Sequence, residues 1–324
     1  MSFIFNNKDY THFPDGVYSV LITPFTEDNQ INYSEIGSWV TEQLESNVVG
    51  IVLHGTTSEN PTVSYSEKMR ITEYVINVYN VYYTIHPNNV PKLICIGVGT
   101  NNTADSIEFA IKCKPFCHAM MVVMPYYNKP PQRALVEHFR AICNNPELQD
   151  TMFLLYNVPS RTGVHCLPET VKKIFEACPN AKAIKEASGN PTNTEEIVNL
   201  CKHMDIKVFS GDDKIVLDIL NKGAKGLISV ASNVFPNYFA KLVSTYFENP
   251  DLAQQLYSDF KTDELCDAMF IETNPIAVKR MMVLSGKYSN DYMRLPLVEL
   301  DPKYDNIVKN AFDNFNNKFK NLFY

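Results

Sequence analysis

Short apolar runs alternate with longer amphipathic segments through most of the chain. The apolar runs, rich in Val, Ile, Leu and Met, cover residues 17–22, 48–53, 93–98, 119–124, 152–156, 181–185, 207–210 and 226–230. Between them, apolar residues recur near helical spacing at residues 33–44, 64–81, 133–143, 168–177, 192–201 and 212–220. Strands buried on both faces have continuous apolar sequences, whereas helices carry an apolar stripe. The pattern therefore predicts repeated βα units with a parallel sheet.

The number of predicted strands, eight, narrows the fold class. Eight βα units in about 240 residues are typical of a (β/α)8 TIM barrel, an α/β fold. A doubly wound sheet stays compatible with the pattern, because a sequence does not reveal the order of strands in a sheet. Gly97-Val98-Gly99 resembles part of a dinucleotide-binding turn, but it lacks the third glycine of that motif. We expect the barrel.

The strand pattern stops near residue 248. Glu248-Asn249-Pro250-Asp251 combines turn-forming residues with a predicted helix cap at Asp251. Residues 252–266, 275–284 and 302–319 are predicted helices. We therefore expect a catalytic barrel over residues 1–248 and a small helical domain over residues 249–324.

The composition is that of an ordinary globular protein, with 45% hydrophobic and 20% charged residues in 324. The net charge of -7 is spread without a Lys/Arg run, which argues against nucleic acid as a partner. Residues 1–13 lack the pattern of a secretory leader, and apolar runs long enough for a membrane span are absent from the sequence. We expect a cytoplasmic protein that acts on small molecules.

The eight cysteines lie mostly inside apolar segments, which indicates reduced core residues rather than a disulfide framework. Cys113, Cys117 and His118 are close in sequence and raise the question of a metal site. A second pair at ligand spacing is missing, so packing at a helix end is the favoured interpretation.

Chemically useful residues follow most of the predicted strands. In barrel enzymes the reaction takes place at the carboxyl ends of the strands. The segments at those ends are His54 to Glu59, Pro125 to Tyr127, Tyr156 to Gly163, Lys185 to Gly189 and Ser210 to Asp213, and Ile228 lies in the eighth strand. We expect these segments to share the mouth of the barrel.

Lys185 ends the sixth predicted strand. By itself, such a lysine often lays its stem on apolar surface and keeps its ammonium group in water. Beside tyrosines and threonines, and without a metal motif, a buried amine suits Schiff-base chemistry. Burial favours the neutral amine, which is the form that attacks a ketone. The imine would activate the ketone without a metal or an organic cofactor.

Hydroxyl groups are the candidates for moving protons, because the strand ends carry no obvious His or carboxylate pair. Tyr156, Tyr127 and Thr56 supply three of them, although strand-end tyrosines often serve only for packing. Gly55-Thr56-Thr57 allows close backbone approach and could hold a carboxylate, or it could be an ordinary turn. Arg161 offers a fork for a second carboxylate, with a surface salt bridge as the alternative.

Several motifs in the chain resemble those of the dihydrodipicolinate synthase and N-acetylneuraminate lyase family, in the family's order. They are Gly-Thr-Thr-x-Glu at residues 55–59, Pro-Tyr-Tyr-Asn at 125–128, Tyr-Asn-Val-Pro-Ser-Arg-Thr-Gly at 156–163, Ile-Lys-Glu-Ala-Ser-Gly-Asn at 184–190 and Ser-Gly-Asp-Asp at 210–213. The resemblance extends from residues 16–25 to residues 272–276 and 294–296, which is nearly the whole chain.

The resemblance implies a class I lyase that condenses pyruvate with aspartate 4-semialdehyde to 4-hydroxy-tetrahydrodipicolinate, a step of the diaminopimelate route to lysine. It also implies a homotetramer built from two tight dimers. The residue roles that it implies are Lys185 as the Schiff-base lysine, Thr56, Tyr156 and a neighbouring subunit's Tyr127 as the proton relay, Thr57 for the carboxylate of pyruvate, Arg161 for the carboxyl end of the semialdehyde, and Gly211 and Ile228 as lining.

Two alternatives use the same fold. One is another pyruvate-dependent lyase, for N-acetylneuraminate or a keto-deoxy sugar acid, in which the same imine meets a different aldehyde. Thr57 and Arg161 argue against it, since the sialic acid branch resembles Gly-Ser-Thr-Gly-Glu and lacks this arginine. The other is a non-catalytic pyruvate-binding regulator, against which the retained Lys185, Tyr156, Tyr127 and Thr56 argue.

The chain departs from the family pattern at two places. Ser58 stands where the family usually has Gly, and a positive φ at that position would strain the loop. The second place is the site at which many members bind lysine as an inhibitor. There the chain has Asn60, Pro61, Tyr65, Lys68, Asn101 and Asp105, of which Tyr65 and Lys68 replace a His pair. Lys68 would repel the ammonium groups of lysine, so we expect weak or absent inhibition.

Overall fold

The structure, a computed structural model, describes residues 10–323 except for the side chains of Asn321 and Phe323. In this part of the chain eight strands close into a barrel in sequence order. The strands are β1 (Gly16–Val20), β2 (Gly50–Leu53), β3 (Leu93–Gly97), β4 (Ala119–Val123), β5 (Met152–Asn157), β6 (Ala181–Glu186), β7 (Lys207–Ser210) and β8 (Gly226–Ser229).

Thirteen α-helices lie within residues 10–323. They are α1 (Tyr33–Glu45), α2 (Tyr65–Ile85), α3 (Thr103–Cys113), α4 (Gln132–Cys143), α5 (Pro159–Thr162), α6 (Pro168–Ala177), α7 (Pro191–Leu200), α8 (Val216–Asn221), α9 (Pro236–Glu248), α10 (Pro250–Asp259), α11 (Thr262–Met269), α12 (Ile276–Leu284) and α13 (Pro302–Phe323). In the described chain, no helix combines the length and apolar character that crossing a membrane requires.

The closed parallel barrel confirms the predicted fold class and excludes the doubly wound sheet. The strands begin and end within two residues of the predicted runs. Gly99 explains the glycines that resemble a dinucleotide-binding turn: a Cβ at this position would lie 2.5 Å from the backbone N of Val123. Gly99 therefore permits close approach of the segments that follow β3 and end β4.

Several helices differ from the predicted segments. The segment 252–266, predicted as one helix, is divided between α10 and α11 because Lys261 has a left-handed backbone with φ of 54°. The cap of α10 is Asn249, whose side chain accepts from Leu252 N, and the prediction of Asp251 was wrong. α3 and α9 lie outside the predicted segments. α9 is amphipathic and buries residues such as Phe239 and Leu242, so its omission from the predicted helices has no cause in its sequence pattern. Cys113 ends α3 and is buried, as helix-end packing requires.

The described chain forms two compact units. One contains residues 17–92 and 229–323, so the helices that follow residue 248 share a unit with α1 and α2. Its interior contains Trp39 of α1, whose Nε1 donates to Asn233 Oδ1 at 2.8 Å. The other unit contains residues 10–16 and 93–228 and therefore holds β3 to β7. A separate helical domain from residue 249 stays a prediction.

Candidate active site

Lys185 and Tyr156 lie side by side at the carboxyl ends of β6 and β5. The parallel pairing of these strands places Tyr156 opposite Lys185. The Lys185 Nζ atom lies 4.5 Å from the centroid of the Tyr156 ring. Each residue is only 5% exposed. The strands thus hold a nearly buried amine beside a tyrosine ring, an arrangement compatible with imine chemistry.

Gly211, which follows β7, makes room for the stem of Lys185. A Cβ at Gly211 would lie 2.6 Å from the Ala187 Cβ and 2.9 Å from the Lys185 Cε. The Gly211 amide also donates to the Glu186 carbonyl at 2.8 Å, which fixes the segment against the end of β6. Any side chain here would displace the lysine, so Gly211 acts through its lack of one.

Cys95 and Ile228 are further buried residues on the strands. Ile228, on β8, is 1% exposed. Cys95 lies in the middle of β3 and is fully buried. Burial raises the pKa of the Cys95 thiol, and the positive charge of Lys185 opposes that rise. Cys95 is therefore a buried neighbour of Lys185 that sequence reasoning did not single out.

A buried carboxylate network locks the ends of β5 and β6 together. Asn157 Nδ2 donates to Glu186 Oε2 at 2.9 Å, and the Ser188 amide donates to Glu186 Oε1 at 2.7 Å. Both Asn157 and Glu186 are nearly fully buried. Because successive side chains of a strand face opposite ways, Glu186 points away from the side on which Lys185 lies. The network stabilises the strand ends that carry Tyr156 and Lys185.

Tyr127 and Arg161 lie on loops that contact each other through the backbone. The Tyr127 amide donates to the Thr162 carbonyl at 3.2 Å, and Arg161 precedes Thr162 in the short helix α5. Tyr127 has φ of 74°, a strained value for a residue with a side chain. Its side chain is 86% exposed. The chain therefore does not pack Tyr127 together with Lys185 and Tyr156.

Thr56 and Thr57 belong to the turn that follows β2. Residues Thr56–Ser58 form a 3-10 turn, and Thr57 is 2% exposed. The Asn274 side-chain amide donates to the Thr57 hydroxyl at 3.1 Å. This contact joins the turn to the residue that precedes the start of α12 by two positions.

Ser58 does not carry the backbone strain that its replacement of Gly suggested. The residues of this loop with positive φ are His54, at 55°, and Glu59, at 52°. Ser58 is buried, and its hydroxyl donates to the Leu21 carbonyl at 2.6 Å. The serine is thus an anchor of the turn.

Glu59 forms an ion pair with Lys279 of α12. The Lys279 Nζ lies 2.6 Å from Glu59 Oε1, and both side chains are fully buried. Burial lowers the pKa of Lys279, and the facing Glu59 opposes this change. The backbone amide of Arg294 donates to the second oxygen of Glu59 at 3.3 Å.

Arg294 holds the start of α2 as well. Its guanidinium donates to both carboxylate oxygens of Glu67, at 2.9 and 2.7 Å. This fork lowers the pKa of Glu67 to about 2. The same guanidinium donates to the Thr62 carbonyl at 3.0 Å. Lys279 and Arg294 therefore hold residues 59–67 in place through contacts with Glu59, Thr62 and Glu67.

Sequence reasoning missed the residues that hold this loop. Asn274 and Arg294 lie in segments that resemble the family, but their partners are 217 and 227 residues away along the chain. Neither periodicity nor strand-end position marks such a pair. One signal was available in the sequence. Lys279 lies in a largely apolar predicted helix, and a lysine in such a position usually has a buried acidic partner.

A model of the dihydrodipicolinate synthetase family matches residues 13–314. A barrel with a buried lysine at the end of its sixth strand is the architecture of a class I lyase, and the match extends over nearly all of the chain. The chain belongs to this family.

Individual relatives agree with the family match. The chain is 35% identical over 297 residues to the 4-hydroxy-tetrahydrodipicolinate synthase of Methanocaldococcus jannaschii, covering 91% of this chain and 96% of the relative. The structure of the same enzyme from Methylacidiphilum fumariolicum has a TM-score of 0.87 at 33% identity, covering 95% of this chain and 98% of the other. The Acinetobacter baumannii dihydrodipicolinate synthase, solved with pyruvate, has a TM-score of 0.85 at 29% identity, covering 93% and 99%.

Proposed function

We propose that the chain is a 4-hydroxy-tetrahydrodipicolinate synthase, a lyase that condenses pyruvate with aspartate 4-semialdehyde. The observation that carries the proposal is the buried Lys185 amine, 4.5 Å from the Tyr156 ring centroid at the ends of two paired strands. Relatives named for this activity, at 33–38% identity, support the choice of reaction.

The reaction begins when the Lys185 Nζ attacks the keto carbon of pyruvate. The carbinolamine loses water to give an imine, and the imine withdraws electrons from the pyruvate methyl carbon. Loss of a proton from this carbon gives an enamine, which forms the new carbon–carbon bond with the aldehyde of the second substrate, whose oxygen takes up a proton. The amino group of the second substrate then displaces Lys185 and closes the ring.

Three hydroxyl groups move the protons in this proposal. The position of Tyr156 beside Lys185 supports this role for Tyr156, and Thr56 of the turn after β2 is the second proposed member. The third is Tyr127 of a neighbouring subunit. Because Tyr127 is exposed on its own chain, its side chain is available to enter the site of a neighbour. This sharing of Tyr127 implies an oligomer, which we propose to be a homotetramer of two tight dimers.

Thr57 and Arg161 bind the substrates. Thr57 would hold the carboxylate of pyruvate through its hydroxyl and the backbone of its turn. Arg161, exposed on α5, would receive the carboxyl end of the semialdehyde as a bidentate partner. Gly211 and Ile228 line the site.

The lysine imine takes the place of a cofactor in this mechanism, so we propose that the enzyme uses neither a metal nor an organic cofactor. We also propose that it works in the cytoplasm. The free thiols of all eight cysteines, which lie within the described residues, support a reducing compartment.

Borohydride reduction in the presence of pyruvate tests the imine. We expect the peptide that contains Lys185 to gain the mass of a reduced pyruvate adduct in mass spectrometry, because reduction turns the imine into a stable secondary amine. Succinate, which has no keto group, is the matched control compound and should leave the peptide unmodified. An unmodified Lys185 after treatment with pyruvate and borohydride would reject the mechanism.

The second substrate is tested separately from the imine. We expect turnover with aspartate 4-semialdehyde and no cleavage of N-acetylneuraminate. In an Arg161→Gln variant, imine trapping should persist while the KM for the semialdehyde rises by about tenfold to a hundredfold, as the loss of a charged hydrogen bond implies. Preferential cleavage of the sugar acid would exclude the synthase while leaving the imine intact.

Lysine inhibition is expected to be weak or absent. Burial and, to a smaller extent, the positive charge of Lys68 of α2 together lower the pKa of His54 to about 3. The same charge would repel the ammonium groups of a lysine bound beside it. Lysine should therefore inhibit a Lys68→Gln variant at least as strongly as it inhibits the unaltered enzyme. Sub-millimolar inhibition of the unaltered enzyme at saturating pyruvate would contradict this expectation.

A further inference from the structure

The loop between β2 and α2 holds two residues in an unfavourable backbone conformation. His54 and Glu59, with φ of 55° and 52°, flank the turn that contains Thr56 and Thr57. Left-handed backbone in a residue with a side chain is uncommon and persists only when surrounding contacts hold it. The conformation of this turn therefore depends on what its flanking residues bind.

Glu59 is held at both carboxylate oxygens. One oxygen lies 2.6 Å from the Lys279 Nζ, and the other accepts from the Arg294 amide at 3.3 Å. The same Lys279 Nζ donates to the Tyr292 carbonyl at 2.6 Å and lies 4.4 Å from the centroid of the Phe25 ring. Because Lys279 is fixed on several sides in a fully buried environment, it holds Glu59 in one place.

The segment that carries Lys279 also reaches the residue proposed to bind pyruvate. Asn274, five residues before Lys279, donates to the Thr57 hydroxyl at 3.1 Å. The segment 274–279 thus contacts this loop at two residues, through the hydrogen bond to Thr57 and the ion pair with Glu59. A shift of Glu59 would move a turn whose side chains must meet a small, rigid carboxylate.

We propose that the buried pair of Lys279 and Glu59 positions the Thr56–Thr57 turn for pyruvate, so that a cation on α12 sets the affinity for the first substrate. Lys279 is a positioning residue here, because it acts through Glu59 and the turn. The inference rests on the proposed function, in which Thr57 binds the carboxylate of pyruvate.

The test compares Lys279→Met, Glu59→Gln and the double variant in steady-state kinetics. We expect Lys279→Met to raise the KM for pyruvate by about 10- to 100-fold, the usual cost of a small displacement in a binding site. Turnover at saturating pyruvate should fall by a smaller factor than the KM rises, because Lys185 and Tyr156 lie on other strands and are unaltered, whereas the same turn carries Thr56 of the proposed proton relay. Glu59→Gln should raise the same KM less, since an amide can still accept from Lys279.

The double variant separates positioning from stability. Removing one partner leaves a buried charge without compensation, whereas removing both does not. We therefore expect Glu59→Gln/Lys279→Met to recover the urea midpoint that Lys279→Met loses, but to keep the raised KM for pyruvate. Should Lys279→Met fail to fold, the double variant carries the kinetic test.

Arg280 provides the matched control. It is the next residue on α12, and its Nε donates to Asp305 of α13 at 2.7 Å. Arg280→Met removes an ion pair from the same helix without touching the loop and should leave the KM for pyruvate unchanged.

Two outcomes overturn the inference. One is a folded Lys279→Met or double variant with the KM of the unaltered enzyme, and the other is an equal rise in KM in Arg280→Met. Failure of the proposed function is a different result, namely that the unaltered enzyme gives no borohydride adduct with pyruvate.

Discussion

Changing Lys185 to methionine is expected to lower turnover by about 10⁴-fold or more, as the loss of a catalytic nucleophile does in other enzymes. Methionine keeps an unbranched stem of similar length in the space beside Gly211, where the lysine Cε lies 2.9 Å from the site of an added Cβ. The variant should therefore fold, and the loss should fall on the chemical step. Steady-state kinetics with both substrates measures it, and borohydride trapping should give no adduct.

Lys182 on the same strand is the matched control for this variant. It lies three residues before Lys185 on β6, and its Nζ is 3.6 Å from an Asp205 carboxylate oxygen. Lys182→Met removes an equal charge from β6 without changing the proposed nucleophile, so turnover should be retained. A Lys185→Met enzyme within about tenfold of the original turnover would mean that the imine is not on the reaction path.

The sequence predicted the barrel because its strands are continuous apolar runs. Each of the eight runs became a strand, and the residues singled out at their ends lie in the last residues of the strands or just after them. Lys185 and Tyr156 could be paired in advance, because both end neighbouring strands of a barrel. Local pattern and the strand-end rule were sufficient for this half of the candidate site.

The other half depends on contacts that a local pattern does not contain. The Thr57 hydroxyl meets Asn274, and Glu59 meets Lys279, across more than two hundred residues of chain. The backbone strain also lies elsewhere than expected: departure from the family pattern marked Ser58, whereas the structure has positive φ at Glu59. Left-handed backbone in a glutamate becomes understandable only when its buried ion pair is known, because tertiary contacts then offset the local cost.

The break between α10 and α11 has a similar origin. Residues 252–266 carry apolar positions at nearly helical spacing, but Lys261 adopts φ of 54° and begins a new helix. The Tyr238 hydroxyl of α9 lies 2.5 Å from the Thr262 hydroxyl at the start of that helix, and both residues are fully buried. The chain thus starts a new helix where Thr262 packs against α9. Periodicity alone did not indicate this break, because the contact with α9 is tertiary.

Gly226→Ala is expected to destabilise the protein by more than about 4 kcal/mol and so to leave little folded enzyme. Gly226 begins β8, and a Cβ there would lie 1.9 Å from the carbonyl oxygen of Gly16, which begins β1. The atoms that would clash belong to the backbone, so no side-chain rotation can relieve the contact. The Gly16 amide is itself bonded to the Lys225 carbonyl at 3.0 Å, which ties the two segments at this spacing. Yield of folded protein and urea unfolding monitored by circular dichroism measure the effect.

Gly286→Ala separates the clash from the ordinary cost of replacing glycine. Gly286 has φ of 73°, and a Cβ there would meet nothing within 4 Å. Its replacement should cost only about 1–2 kcal/mol, the penalty of a left-handed alanine. If the two variants unfolded at the same urea concentration, close packing of Gly226 against Gly16 would not be what joins the ends of the barrel. If Gly226→Ala gives little folded protein while Gly286→Ala folds, then β8, the strand that carries Ile228, requires glycine at position 226. The barrel must then close at this position before the site can form.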